Sequence, residues 1–377
     1  MTNPNIHVLL VSDQAAPNLL PALDPEIKPK EAILLVTRKM TARANALESV
    51  LRQASVRISR VDLEDEHDFS ALERALLDLA ATRDGEEIAL NVTGGTKLMA
   101  LAAQSVAQAA QWRIFYVDVD TDEVIWLGKT ALRKKLSTQL RLPHYLLGYG
   151  FKLGEGIKRP APDHRHNELL KTLVSQVGSL EAALSQLNFL AQQAEDQNRL
   201  QIEQNENRRS SPAFAALLRN FESAGILSLS GNRIQFNSEE DRNFTKGGWL
   251  EHHTYRTVSA IHSELSIRDK AANLPVIDSN GVKNELDIAF LAKNRLFIIE
   301  CKTARMDSYR HAKANDTLFK LSEICRRVGG LGTRGMLASY RKLGESERKL
   351  AQALNIEVVT GVELNRLDER IKRWVKG

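Results

Sequence analysis

The chain has 377 residues, a formal net charge of +5 and two cysteines. That length accommodates two domains with separate cores, and two cysteines are too few for a disulfide framework or a cysteine-rich metal site. No run of about 18 apolar residues offers a membrane span and no charged-then-apolar leader opens the chain, so a cytoplasmic protein without a membrane partner is expected.

The charge is uneven. Residues 1–150 carry 17 Lys and Arg against 19 Asp and Glu, a net −2, which leaves a net +7 beyond. The first strand, Ile6 to Val11, ends in Ser12-Asp13-Gln14 and continues to Pro17-Asn18. Further strands at Ala32 to Thr37, Val56 to Val61 and Trp112 to Val117 alternate with helical runs, the pattern of a doubly wound α/β sheet. Between them, Ile88 to Ala103 reads as a strand, a turn Thr93-Gly94-Gly95-Thr96-Lys97 and an apolar helix. Glycines admit backbone N–H groups to an anion, the helix start carries partial positive charge, and Thr93, Thr96 and Lys97 add donors. The spacing matches neither GxGxxG nor the Walker A pattern; a tight connection is the alternative reading.

With its polar cluster after the first strand and this glycine turn after the fourth, the N-terminal region, residues 1–150, resembles a CARF domain, the Rossmann-like sensor of CRISPR-associated proteins. The resemblance implies that a homodimer binds a cyclic oligoadenylate, commonly cyclic tetra-adenylate, through Ser12, Asp13, Gln14, Asn18, Thr37, Thr93, Gly94, Gly95, Thr96 and Lys97. A two-fold symmetric ring suits a symmetric dimer, since each subunit offers the same loops to half of it.

Residues 151–245 form a connector. Asn167 to Asn207 reads as mostly helical, Asn205 to Ser211 as a break, and Pro212 as the start of a helix through Ala224. Ile226 to Phe236 reads as a hairpin turning at Gly231-Asn232, which together with the helices resembles a winged helix. A spacer or dimer contact fits it as well as DNA binding does.

Residues 246–377 hold the chemistry. A helical run from Gly247 to His262 carries Glu251, His252 and His253. Lys283 to Thr303 then reads as two strands broken at Lys293-Asn294, where a two-residue turn fixes the register. Ala292 opposes Arg295, Phe290 opposes Phe297, Ile288 opposes Ile299 and Leu286 opposes Cys301, which makes one face apolar apart from Arg295. On the other face Asp287 stands across from Glu300, and Glu285 across from Lys302. Two carboxylates this close repel unless a cation lies between them, and their hard oxygens favour Mg2+ or Mn2+ over zinc. Such a cation activates water and neutralises phosphate, with Lys302 beside it, as in phosphodiester hydrolysis. A cross-strand salt-bridge ladder is the plainer alternative.

The helix, the hairpin and the following helix Ala312 to Val328 with strands Gly335 to Ser339 and Ile356 to Thr360 together resemble the PD-(D/E)xK nuclease superfamily. The resemblance implies a restriction-endonuclease-like α/β core, catalysis by Asp287, Glu300, Lys302 and Glu251, and metal ligation by Asp287, Glu300 and Glu251. No proline precedes Asp287, a departure from the pattern. The histidines lack a partner at metal-ligand spacing and read as surface or core residues, and Cys301 lies on the apolar face and reads as packing. Arg326, Arg327, Arg334, Arg341 and Lys342 are candidate contacts to a nucleic-acid backbone, RNA or DNA.

The pairing of sensor and nuclease resembles stand-alone effectors of type III CRISPR systems, which implies a cyclic oligoadenylate-activated nuclease in antiviral defence. A ligand-sensing transcription regulator with a winged helix and a non-catalytic C-terminal sheet is the alternative. Such a regulator has no need of Asp287, Glu300 and Lys302 on one face.

Overall fold

The computed structural model describes residues 4–128, 132–155, 166–204, 211–303 and 312–377. The N-terminal region alternates strand and helix: β1 (Ile6–Leu10), α1 (Ala16–Leu23), β2 (Glu31–Thr37), α2 (Thr41–Gln53), β3 (Arg57–Leu63), α3 (Phe69–Thr82), β4 (Ile88–Asn91), α4 (Lys97–Ala109) and β5 (Arg113–Asp118). Two unexpected strands, β6 (Glu123–Leu127) and β7 (Leu132–Lys135), complete a sheet of order β3-β2-β1-β4-β5-β6-β7. Strands β1 to β5 are parallel, and β1 and β2 are buried at every position, as strands covered by helices on both faces must be. The strand order reverses between β1 and β4, and the loops leaving their carboxyl ends meet there.

The connector contains α5 (Leu142–Gly148), β8 (Lys152–Leu153), α6 (Asn167–Ser175), α7 (Val177–Asp196), β9 (Gln201–Glu203), α8 (Pro212–Ser223), β10 (Leu227–Ser230) and β11 (Arg233–Phe236). The hairpin at Gly231-Asn232 forms as expected, and β9 extends it into a sheet of order β10-β11-β9. The helical run expected to reach Asn207 instead stops at Asp196, because Asn198 turns left-handed at φ 51° and the chain re-enters as β9. The expected break at Asn205 to Ser211 lies, up to residue 210, outside the described residues.

The remainder comprises α9 (Glu239–Asn243), α10 (Trp249–Ala260), β12 (Ile267–Ile277), β13 (Lys283–Ala292), β14 (Arg295–Lys302), α11 (Ala312–Gly329), β15 (Arg334–Ser339), α12 (Glu345–Ala353), β16 (Ile356–Thr360) and α13 (Leu367–Lys376). Its sheet runs β16-β15-β14-β13-β12-β8, antiparallel from β8 to β14 and parallel from β14 to β16. Strand β12 was not anticipated from the sequence.

The cores are separate only in part: Val8 and Leu10 of β1 pack with Leu76 of α3 and Ala103 of α4 in a buried set confined to the sensor, whereas a second set is shared. Leu9, Val11 and Leu19 of the sensor, Tyr145 and Leu146 of α5, and Leu274, Leu286, Leu291 and Leu296 of the C-terminal sheet form one continuous buried set. The other face of that sheet, including Ile288, Phe290, Phe297 and Ile299, packs with Leu184 and Leu187 of α7, Phe214 of α8 and Trp249 of α10. Both faces of the C-terminal sheet are therefore covered. The turn of its central hairpin also docks on the sensor: Asn294 Nδ2 donates to Asp122 Oδ1 at 2.9 Å, and Leu140 N–H donates to Asn294 Oδ1 at 3.0 Å. Arg295 pairs with Asp120, which explains the one charge in the apolar row.

Candidate functional site

Lys293 and Asn294 have φ values of 50° and 52°, the two left-handed residues that a tight hairpin turn of this length uses. The ladder then runs Ala292 to Arg295, Phe290 to Phe297 and Ile288 to Ile299, in the expected register. It ends there, one step before Asp287 and Glu300, so the expected Leu286–Cys301 and Glu285–Lys302 pairs are not part of it. The Asp287 side chain takes over, its Oδ2 accepting the Cys301 N–H at 2.7 Å. The alternation of faces also shifts: Leu286 belongs to the core shared with the sensor and Ile288 to the core shared with the connector.

Helix α10 is preceded by a π-helical turn, Phe244–Gly248, in which Gly247 has φ of 153°. Only glycine fits there: a Cβ would lie 2.1 Å from Thr303 Oγ1, just beyond the end of β14. This close approach, with Trp249 and Leu250 fully buried as anchors, seats the first turn of α10 against the hairpin and brings in Glu251. Glu251 Oε2 accepts from Asn273 Nδ2 of β12 at 2.8 Å, and Lys302 Nζ pairs with Glu300 Oε1 at 2.6 Å. Glu251, Glu285, Cys301 and Lys302 line a cleft of about 1460 Å³, whose other walls include Lys246, Arg341 and, from α7, Phe189.

Asp287 is 9% exposed, and burial first, then Glu300 and Glu251, raises its carboxyl far above the usual carboxylate range. Burial likewise raises Glu251, with Glu285 and Glu300 adding to it and Asn273 and Lys302 opposing it. Burial alone would lower the Lys302 ammonium, but Glu300 and Asp287 outweigh it and raise it. Glu300 and Glu251 thus bear on Asp287, and Glu300 bears on Glu251 as well. Among the described residues no three His, Cys, Asp or Glu side chains are drawn into a metal-type cluster; Glu300 turns instead to Lys302. The donors are nonetheless hard oxygens whose mutual repulsion a divalent cation relieves, so their chemistry fits the expected Mg2+ or Mn2+.

His253 is buried and held down at about 4 by burial with Arg256 adding to it, while His252 lines the cleft and meets the Phe244 ring edge-on at 5.3 Å. Cys301 is packed, its Sγ 3.5 Å from Thr254 Oγ1. Of the five candidate backbone contacts, Arg341 lines the cleft. Arg326 pairs with Glu323, Arg327 with Asp278, Arg334 donates to the Gly377 carbonyl, and Lys342 packs near Gly361. Sequence reading missed Asn273, Lys246 and Phe189, which come from elements whose place beside the hairpin only the fold reveals.

In the sensor, the loops after β1 and β4 touch at the switch point. A Cβ on Gly94 would lie 2.2 Å from the Leu10 carbonyl oxygen and 3.4 Å from Ser12 Oγ, and Gly95 has φ of 72°. Ser12, Gln14 and Lys97 keep some or full exposure, Asp13 pairs with Arg43, and Thr37 is buried at the end of β2. Three of the expected ligand contacts also make hydrogen bonds within the chain. Asn18 is buried inside α1, donates to the Leu10 carbonyl and accepts from Asn91. The Thr93 hydroxyl donates to Asn91 Oδ1 at 2.7 Å and accepts from Val117 N–H at 2.7 Å. Thr96 caps α4 by accepting from Met99 N–H. These bonds hold the loops together, and Lys97 remains as the exposed cation at the helix start.

Residues 6–145 match the model of the Card1 CARF domain, and residues 238–377 match that of the Card1-like endonuclease domain. Protein VC1899 from Vibrio cholerae is 28% identical, with 98% of each chain covered and a TM-score of 0.89. Can2 from Sulfobacillus thermosulfidooxidans, solved in complex with cyclic tetra-adenylate, is 26% identical, with 99% of each chain covered and a TM-score of 0.83. A type III CRISPR defence DNA nuclease activated by cyclic oligoadenylate shares the fold at 19% identity and a TM-score of 0.54, over 91% of this chain and 46% of its own. No curated protein matches. No described helix is long and apolar enough to cross a membrane. The chain joins both Card1-type halves in one fold and belongs to the Card1-like proteins that unite a CARF domain with an endonuclease domain.

Proposed function

We propose that this chain is a metal-dependent endonuclease whose cutting site is Asp287, Glu300, Lys302 and Glu251, and that cyclic tetra-adenylate, the ring held by Can2, switches it on. The observation that carries the reading is the buried Asp287 carboxyl set against Glu300 and Glu251, with Glu251 and Lys302 lining a cleft of about 1460 Å³. Asp287, Glu300 and Glu251 would hold Mg2+ or Mn2+, whose contribution is to polarise a phosphodiester and acidify water. Lys302, tethered by Glu300, orients the attacking water and offsets charge on the phosphate. Lys246, paired with Glu195, and Arg341, held by Ser185 and Tyr340, lend the cleft wall positive charge toward a phosphate backbone, and the Phe189 ring, 54% exposed, offers a face to an unpaired base. Both RNA and DNA present the phosphodiester that this site recognises.

The test is cleavage of plasmid and single-stranded RNA with Mn2+, with and without cyclic tetra-adenylate. Cutting is expected only with both and is lost in Glu300→Ala. Cutting that survives that change, or proceeds equally without metal, excludes the site.

On this reading the activator would lie at the switch point between β1 and β4, on Ser12, Gln14, the Gly94-Gly95 backbone and Lys97. The head of α4 supports a symmetric dimer, since Leu98 and Leu101 stand 37% and 57% exposed beside Lys97. Lys97→Ala is expected to weaken cyclic tetra-adenylate about tenfold by calorimetry, with an unchanged melting temperature. Light scattering is expected to report a dimer, and a monomer with bound activator would contradict the shared site.

A further inference from the structure

Asn273 lies within the eleven-residue strand β12 yet has φ of 46°. Asparagine tolerates that region better than most residues, but a left-handed residue inside a strand is a costly outlier that persists only where its surroundings impose it. Its position in the ladder is telling. Ala272 pairs with Ile288 and Leu274 with Leu286, so Asn273 occupies the step that falls opposite Asp287. Side-chain sidedness reverses on both strands at that step. Ala272 and Ile288 face the connector core, whereas Leu274 and Leu286 face the core shared with the sensor. The Asn273 side chain lines the cleft and donates from Nδ2 to Glu251 Oε2 at 2.8 Å.

Resting on the reading that Glu251, Asp287 and Glu300 hold the cation, we propose that Asn273 is a positioning residue for these carboxylates. Its left-handed backbone permits the change of face at Asp287, and its amide holds the Glu251 carboxylate at the cleft wall. The two roles separate by substitution. Glycine keeps the backbone geometry and removes the donor, whereas aspartate keeps tolerance of the left-handed region but sets a like charge against Glu251.

The experiment measures Mn2+ binding to the full-length protein by calorimetry and electron paramagnetic resonance, alongside melting temperature and cyclic tetra-adenylate affinity. Asn273→Gly is expected to bind Mn2+ about tenfold more weakly, the usual scale for a residue that orients a metal ligand, while melting temperature and activator affinity hold. Asn273→Asp is expected to lose more, and serves if the glycine variant does not fold. Wild-type Mn2+ affinity in both variants, with tenfold loss in Glu251→Gln, overturns the positioning role alone. Wild-type affinity in Glu251→Gln overturns the metal-ligand reading of Glu251, and the role of Asn273 with it.

Discussion

Asp287→Asn is expected to lower cleavage by at least about a hundred-fold while making the metal-free protein more stable at pH 8. The sign follows from the burial of this carboxyl. Burial, then Glu300 and Glu251, pushes Asp287 from 3.8 up to about 8. Between those values the folded chain keeps a proton that the unfolded chain has released, so stability is full below the lower value and falls as pH rises toward the upper one. Asparagine removes that penalty and still accepts from Cys301 N–H, the bond that Asp287 makes at 2.7 Å. The gain should be absent near pH 4 and grow steadily toward pH 8, read as melting temperature against pH without metal. Added Mn2+ should raise the melting temperature of the wild type and leave the variant unmoved. Equal pH profiles for the two proteins would show that this carboxyl is neither buried under strain nor poised to release its proton.

Gly247→Ala is expected to damage both fold and activity. The added Cβ would meet Thr303 Oγ1 at 2.1 Å and Thr303 Cβ at 3.0 Å, at a φ of 153° that side chains rarely adopt. A loss on the order of 2 to 4 kcal/mol follows, and displacement of the first turn of α10 carries Glu251 away from the cleft. Adding Thr303→Ala removes the nearer of the two clashing atoms and is expected to recover part of the melting temperature. No recovery would assign the whole penalty to the backbone.

Much of the site was legible because hairpin physics is local. The Lys293-Asn294 turn and the alternating apolar residues around it determine the pairing from Ala292 to Ile288 without reference to the rest of the chain. The sensor's alternation of strand and helix was equally readable, since buried parallel strands such as β1 and β2 are continuous apolar runs. Strand β12 was missed because Ile267 to Ile277 mixes Arg268, Asp269, Lys270 and Pro275 with its apolar residues, and its pattern of faces reverses at Asn273. Asn18 and Thr93 show what sequence leaves open: a polar side chain near a ligand loop reads the same whether it faces a ligand or holds two loops together. Their hydrogen bonds to Leu10, Asn91 and Val117 become visible only in the fold.

The docking of Asn294 on Asp122 and Leu140, together with the apolar layer shared by both sheets, bears on how the molecule can be dissected. Severing the chain near residue 245 would strip Ala271, Leu274, Val276, Leu286, Ala289 and Leu291 of their cover and leave the hairpin tip without its anchor. The fragments are thus expected to aggregate on separate expression and to regain solubility when co-produced. Moving either half onto a foreign partner would accordingly require redesigning the seam between them.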